Sequence, residues 1–182
     1  MEAKETGIQG LIEIIPRKFT DSRGWFIETY KQSRYEEHIA KDNLFIQDNL
    51  SCSSKNVLRG LHFQKPPYAQ SKLVTVIRGK ALDVAVDLRK SSSTFGKHFS
   101  IILDDKLKNQ LYIPRGFAHG FLSLEDDTYL LYKCDNEYDK ESESTLLWDD
   151  EHLGIDWGID KPIVSDKDID GQLWSEFETP FD

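Results

Sequence analysis

The sequence predicts an all-β protein, a jelly-roll barrel with a few short peripheral helices, in one domain spanning residues 1–182. Three observations carry that expectation. Short runs rich in Val, Ile, Tyr and Phe recur along the chain with turn residues between them. One run alternates strictly, Leu82, Val84, Val86 and Leu88 against Asp83, Ala85 and Asp87, which is the period of two that a strand imposes. No repeat, low-complexity tract or Pro/Gly-rich linker divides the chain.

The elements follow in order. Residues 11–15 and 25–30 read as a pair of strands, separated by a turn at Asp21-Ser22-Arg23-Gly24. Residues 33–41 have room for two helical turns carrying Tyr35 and Ile39. In residues 59–64, alternation puts Leu61 and Phe63 on one face and Gly60, His62 and Gln64 on the other. Residues 72–77 form a further strand, and Arg78-Gly79-Lys80 is a tight turn leading into the alternating run. Phe99, Ile101 and Leu103 alternate again, residues 110–114 make a short strand ending at Pro114, and residues 121–124 and 129–133 make two more. From Tyr138 onward the chain is acidic, with Trp148, Trp157 and Trp174 but little periodicity. That quarter is expected to wrap the outside of the barrel, with a short helix near residues 171–177.

Composition narrows the function. Hydrophobic residues at 38% and aromatic residues at 12% are too many for a disordered chain. A net charge of −9 argues against a nucleic-acid polymer as partner, while leaving room for a local basic pocket. The two cysteines, Cys52 and Cys134, have no metal-type spacing and make a thin disulfide framework. No apolar run follows the first residues, Met1-Glu2-Ala3-Lys4-Glu5, so no signal peptide is expected, and no stretch has the length of a membrane helix. The expected address is the cytoplasm, with no membrane association.

Two of the five histidines stand out. His38, His98 and His152 sit among charged residues or beside a turn and read as surface histidines. His62 lies on the polar side of its strand, near Arg59 and Gly60, where it would line a cleft or serve as a hydrogen-bonded structural residue. His119 follows a turn bracketed by Pro114, Gly116 and Gly120, which would aim it inward. The spacing Pro-x-Gly-x-x-His resembles the second motif of the cupin superfamily. Cupin metal sites typically add a His-x-His pair, but here His62-Phe63-Gln64 has glutamine in the second place. Two imidazoles without a placed carboxylate hold a divalent ion poorly, so no metal is expected. Asp83 and Asp87 add nothing to such a site, being about 13 Å apart along a strand.

Taken together, several long segments resemble the dTDP-4-dehydrorhamnose 3,5-epimerase family over nearly the whole chain. They include Gln47-Asp48-Asn49-Leu50-Ser51, Leu58-Arg59-Gly60-Leu61-His62-Phe63-Gln64, Gln70-Ser71-Lys72-Leu73-Val74, Ile113-Pro114-Arg115-Gly116-Phe117-Ala118-His119-Gly120-Phe121 and Ser165-Asp166-Lys167-Asp168. The chain departs from the family pattern at Asn56 and Ser71, where glycine is common, and in Asp105-Lys106-Leu107-Lys108, which lacks a common asparagine.

The resemblance implies a cupin-type barrel and epimerisation of dTDP-4-dehydro-6-deoxy-D-glucose at C3 and C5. It makes His62 the base, Asp168 its carboxylate partner, Tyr132 the acid on the opposite face and Lys72 the cation beside the C4 oxygen. It implies substrate contacts from Gln47, Asn49, Arg59, His119, Tyr138, Glu143 and Lys167. Arg23 and Glu28 would reach the nucleotide, often from a partner subunit. It further implies no cofactor and a homodimer. The alternatives are an epimerase acting on only one of the two carbons, a non-catalytic nucleotide-sugar-binding jelly roll, and a metal-dependent cupin.

Overall fold

The computed structural model describes residues 1–39 and 43–182. Thirteen strands and two short helices are found among them: β1 (Glu2–Glu5), β2 (Ile12–Ile15), β3 (Lys18–Asp21), β4 (Gly24–Ile27), α1 (Gln32–Tyr35), β5 (Gln47–Ser53), β6 (Leu58–Gln64), β7 (Lys72–Arg78), β8 (Lys80–Asp87), β9 (His98–Asp104), β10 (Gln110–Ile113), β11 (Phe117–Ser123), β12 (Thr128–Cys134), β13 (Glu143–Thr145) and α2 (Asp166–Ile169). A 3₁₀ turn at Trp174–Glu176 falls inside the helical expectation for residues 171–177. The helix expected over residues 33–41 is a single turn, α1, and its last two residues lie outside the described residues.

The strands form two antiparallel sheets, the layered arrangement of a jelly roll. One has the order β1-β2-β10-β7-β12-β5 and the other β13-β6-β11-β8-β9, while β3 and β4 form a separate hairpin. Between the sheets lies a core of Val74, Val76, Leu111 and Leu130 from the first and Ala81, Ala85, Leu103 and Phe121 from the second.

The strict alternation in residues 82–88 has an unexpected orientation. Ala85 faces the inter-sheet core, and Asp83 and Asp87 share its side of the strand. The apolar side points out of the barrel. There Val84, Val86 and Leu88 pack with Leu61, Phe63 and Leu122 under Leu146, Leu153 and Trp157, with Trp174, Phe177 and Phe181 at the margin. The C-terminal quarter is therefore a cover, as expected. Burying each of these large side chains contributes roughly 1.5–3 kcal/mol, which fixes the cover without regular secondary structure.

Two connections differ from the sequence reading. Arg78-Gly79-Lys80 is no hairpin: β7 belongs to the first sheet and β8 to the second, so the chain changes sheets at Gly79. The turn at Asp21-Ser22-Arg23-Gly24 joins β4 to β3, whereas β2 pairs with β1 and β10. Two of the three departures from the family pattern also acquire a physical meaning. Asn56 has φ +68° and Lys108 has φ +58°, the left-handed region in which glycine and asparagine are least strained.

Candidate active site

His62 reaches the barrel cleft because β6 carries an extra residue. His62 pairs with His119 and Arg59 pairs with Phe121, three steps on β6 against two on β11. That bulge resets the alternation, so Arg59 and His62 line one cleft although strict alternation would put them on opposite faces. Glycine is required at the bulge. Gly60 has φ +129°, and a Cβ there would lie 2.4 Å from the Gly120 Cα.

The partner of His62 comes from far along the chain. His62 Nε2 donates to Asp168 Oδ1 at 2.5 Å. Asp168 is buried in the first turn of α2, whose N-cap is Ser165. The Ser165 hydroxyl donates to Asp168 Oδ2 at 2.8 Å and accepts the Asp168 backbone N–H at 3.3 Å. Burial pushes the Asp168 carboxyl up. The hydrogen bond and charge of His62, the Ser165 hydroxyl and the Gly60 N–H outweigh it and hold the carboxyl below its ordinary value.

Lys72 and Tyr132 form the facing wall. Cys134 of β12 pairs with Lys72 of β7, and Tyr132 is two residues earlier on the same face. The Lys72 ammonium lies 5.9 Å from the centre of the Tyr132 ring. Two contiguous pockets meet here, and His62, Lys72 and Tyr132 are the three residues that line both. Burial lowers the Lys72 pKa, opposed by the negative groups around it, and burial raises that of Tyr132. Burial also pushes the neighbouring Cys134 thiol up to about 11, so it stays neutral.

The rim gathers most of the other expected residues. Gln47, Asn49, Tyr138 and Glu143 line the same pocket as His62, and Arg59 and His119 line the second. Gln47 Nε2 donates to Asn49 Oδ1 at 3.0 Å, and Gln47 Oε1 accepts the Tyr138 N–H at 3.1 Å. The Tyr138 hydroxyl donates to Glu143 Oε2 at 3.0 Å, and Glu143 also pairs with Lys167. Burial raises the Glu143 carboxyl, but Lys167, Tyr138 and His62 outweigh it and keep it low. Gln64 is a loop tie: its amide nitrogen donates to Tyr68 O and Glu137 O, and its oxygen accepts the Asp139 N–H.

Arg23 and Glu28 do not join the cleft of their own chain. Arg23 is exposed in the β3–β4 turn and pairs with Asp21 at 2.7 Å, and Glu28 pairs with Arg34 at 2.9 Å. Two residues near the cleft were missed in the sequence. Asp83, fully buried, lies 2.9 Å from His119 Nε2. Its place on the polar side of an alternating strand was the available signal. Ser165 was legible as an N-cap serine three residues before an acidic residue. Among the described residues no three His, Cys, Asp or Glu side chains cluster as a metal site.

A jelly-roll barrel with a histidine–carboxylate pair facing a lysine and a tyrosine across a polar cleft belongs to the acid–base enzymes acting on small molecules. The chain belongs to the dTDP-4-dehydrorhamnose 3,5-epimerase family, whose model matches residues 5–176. It is 47% identical over 172 residues to the dTDP-4-dehydrorhamnose 3,5-epimerase of Shigella flexneri, covering 94% of this chain and 95% of that protein. The crystal structure of the enzyme of that name from Elizabethkingia anophelis superposes with a TM-score of 0.93 at 44% identity, covering 97% of both chains. A dTDP-6-deoxy-D-glucose-3,5-epimerase from Legionella pneumophila, solved in complex with dTDP-4-keto-L-rhamnose, matches with a TM-score of 0.93 at 41% identity. That match covers 97% of this chain and 94% of the other.

Proposed function

We propose that this chain epimerises C3 and C5 of dTDP-4-dehydro-6-deoxy-D-glucose, giving dTDP-4-dehydro-L-rhamnose in dTDP-L-rhamnose biosynthesis. The observation that carries the reading is the His62–Asp168 pair on a cleft whose walls also hold Lys72 and Tyr132. Family membership supports it independently.

The chemistry follows from the substrate. A ketone at C4 acidifies the hydrogens on C3 and C5 and accepts the electron pair when either proton leaves. His62 takes the proton. Its Nε2 is engaged by Asp168, which leaves Nδ1 for the transfer, and the carboxylate stabilises the resulting imidazolium. Lys72 neutralises the charge that develops on the C4 oxygen. Tyr132, its proton retained through burial, returns a proton from the opposite face and inverts the centre. The ketone serves as electron sink, so the reading assigns no cofactor and no metal.

Arg59 suits the diphosphate, and Gln47, Asn49, His119, Tyr138, Glu143 and Lys167 complete the binding set. We assign Arg23 and Glu28 to the cleft of a second subunit in a homodimer. Supporting this, the β3–β4 hairpin leaves Trp25 54% and Phe26 66% exposed, and the edge strand β5 leaves Leu50 57% exposed. The reading treats residues 1–182 as one catalytic domain acting in the cytoplasm, where both free cysteines are at home, with neither nucleic acid nor membrane as partner.

The test is product stereochemistry. Incubation with dTDP-4-dehydro-6-deoxy-D-glucose and NMR analysis should give the L-rhamno product with the native chain and unchanged substrate with His62→Ala. Inversion at one carbon alone would reassign the substrate outcome.

A further inference from the structure

Asp168 has two carboxylate oxygens, and the fold occupies both. Oδ1 takes the His62 ring and Oδ2 takes the Ser165 hydroxyl. A hydroxyl has one proton. Committing it to Oδ2 while its lone pair accepts the Asp168 N–H fixes the rotor, and the carboxylate plane with it. Ser165 also lines the pocket that His62, Lys72 and Tyr132 share. It is exposed at the cleft mouth. A substrate filling the pocket would cover it and exclude water that could otherwise replace the hydroxyl. α2 is only four residues long, so its own backbone gives Asp168 little rigidity.

We propose that Ser165 is a positioning residue of the epimerisation, holding the Asp168 carboxylate in the plane that keeps His62 aimed at the sugar. This rests on the reading of His62 as the base. Ser165 therefore has two separable duties, capping α2 and donating to Oδ2. Glycine preserves most of a cap but cannot donate; threonine can do both.

The experiment measures turnover of dTDP-4-dehydro-6-deoxy-D-glucose, its pH dependence and thermal stability for the native chain, Ser165→Gly, Ser165→Thr and His62→Ala. Ser165→Gly should lose roughly tenfold in kcat with little change in KM, a fraction of the 10²–10⁴ that a positioned base supplies. Its acid limb should move to higher pH, because a hydrogen bond that lowers the Asp168 pKa is gone. Its melting temperature should stay near the native value, and Ser165→Thr should restore kcat and the limb. Native kcat and an unmoved limb in Ser165→Gly would overturn the proposal, as would equal losses in the glycine and threonine variants. His62→Ala separates the two levels of inference. If it retains turnover, the assignment of the base fails; if it is inactive while Ser165→Gly is normal, only the role of Ser165 fails.

Discussion

His62 and Asp168 are 106 residues apart in the chain and 2.5 Å apart in the fold. The contact joins β6 of the second sheet to the C-terminal cover, so packing of the cover brings the two side chains together. Asp168→Asn would keep the shape but remove the charge that supports the imidazolium. It is expected to lower kcat by on the order of 10³-fold or more with KM little changed, measured by steady-state turnover.

With Lys72 as the cation beside the C4 oxygen, as proposed, turnover should have an alkaline limit. Burial draws its pKa below the ordinary 10.5, so the cation is lost at lower pH than for an exposed lysine. The rate should fall as pH rises through that lowered value. In Lys72→Arg the charge persists, so the alkaline limb should move upward while kcat drops because guanidinium geometry differs. A pH–rate profile of both enzymes checks this.

Acid should unfold the protein through buried carboxylates. Asp87 is fully buried, and although burial raises its pKa, hydrogen bonds from Arg89, Ser92 and Thr94 bring it below 3.8. A folded-state value below the unfolded one contributes stability that is complete above the unfolded pKa and lost as pH falls through the folded one. Asp168 and Asp150 act in the same direction. Melting temperature should hold steady down to about pH 5 and fall steeply below about pH 4. Asp87→Asn should lower it at neutral pH and flatten the acid slope, as calorimetry would show.

The β6 bulge depends on bare backbone. Gly60→Ala would drive a Cβ to 2.4 Å from the Gly120 Cα at φ +129°. The cost should be about 3 kcal/mol or more, read as a lowered urea midpoint, and turnover should fall because Arg59 and His62 are displaced.

A second subunit is expected to cover the β3–β4 hairpin. Phe26→Glu should shift the mass measured by sedimentation from dimer to monomer and reduce turnover, since Arg23 and Glu28 would then be missing from the cleft.

Strands with an apolar face were legible in the sequence because alternation is a local property, and β7, β8, β9 and β12 fall where it put them. β5 was not, since it turns Gln47, Asn49 and Ser51 toward the cleft and exposes Leu50, inverting the usual pattern. The direction of β8 was also hidden: alternation marks two faces, and only the packed cover tells which one looks outward. His62 and His119 could be singled out by their polar strand faces and turn residues. Asp168 became a site candidate through family resemblance alone, and Lys72 and Tyr132, a lysine and a tyrosine in strand-like apolar runs, gained their roles only from it, because contacts between distant segments leave no trace in local spacing. Arg59 beside His62 needed the bulge, which the sequence marks only by Gly60.

Epimerisation as proposed requires proton exchange through His62 at two carbons. The direct measurement follows deuterium at C3 and C5 by NMR during incubation with dTDP-4-dehydro-6-deoxy-D-glucose in D2O with a chelator present. Deuterium is expected at both carbons with the native chain and at neither with His62→Ala. Exchange that survives in His62→Ala, or no exchange at either carbon while the ligand binds, would rule out His62 as the base of a double epimerisation.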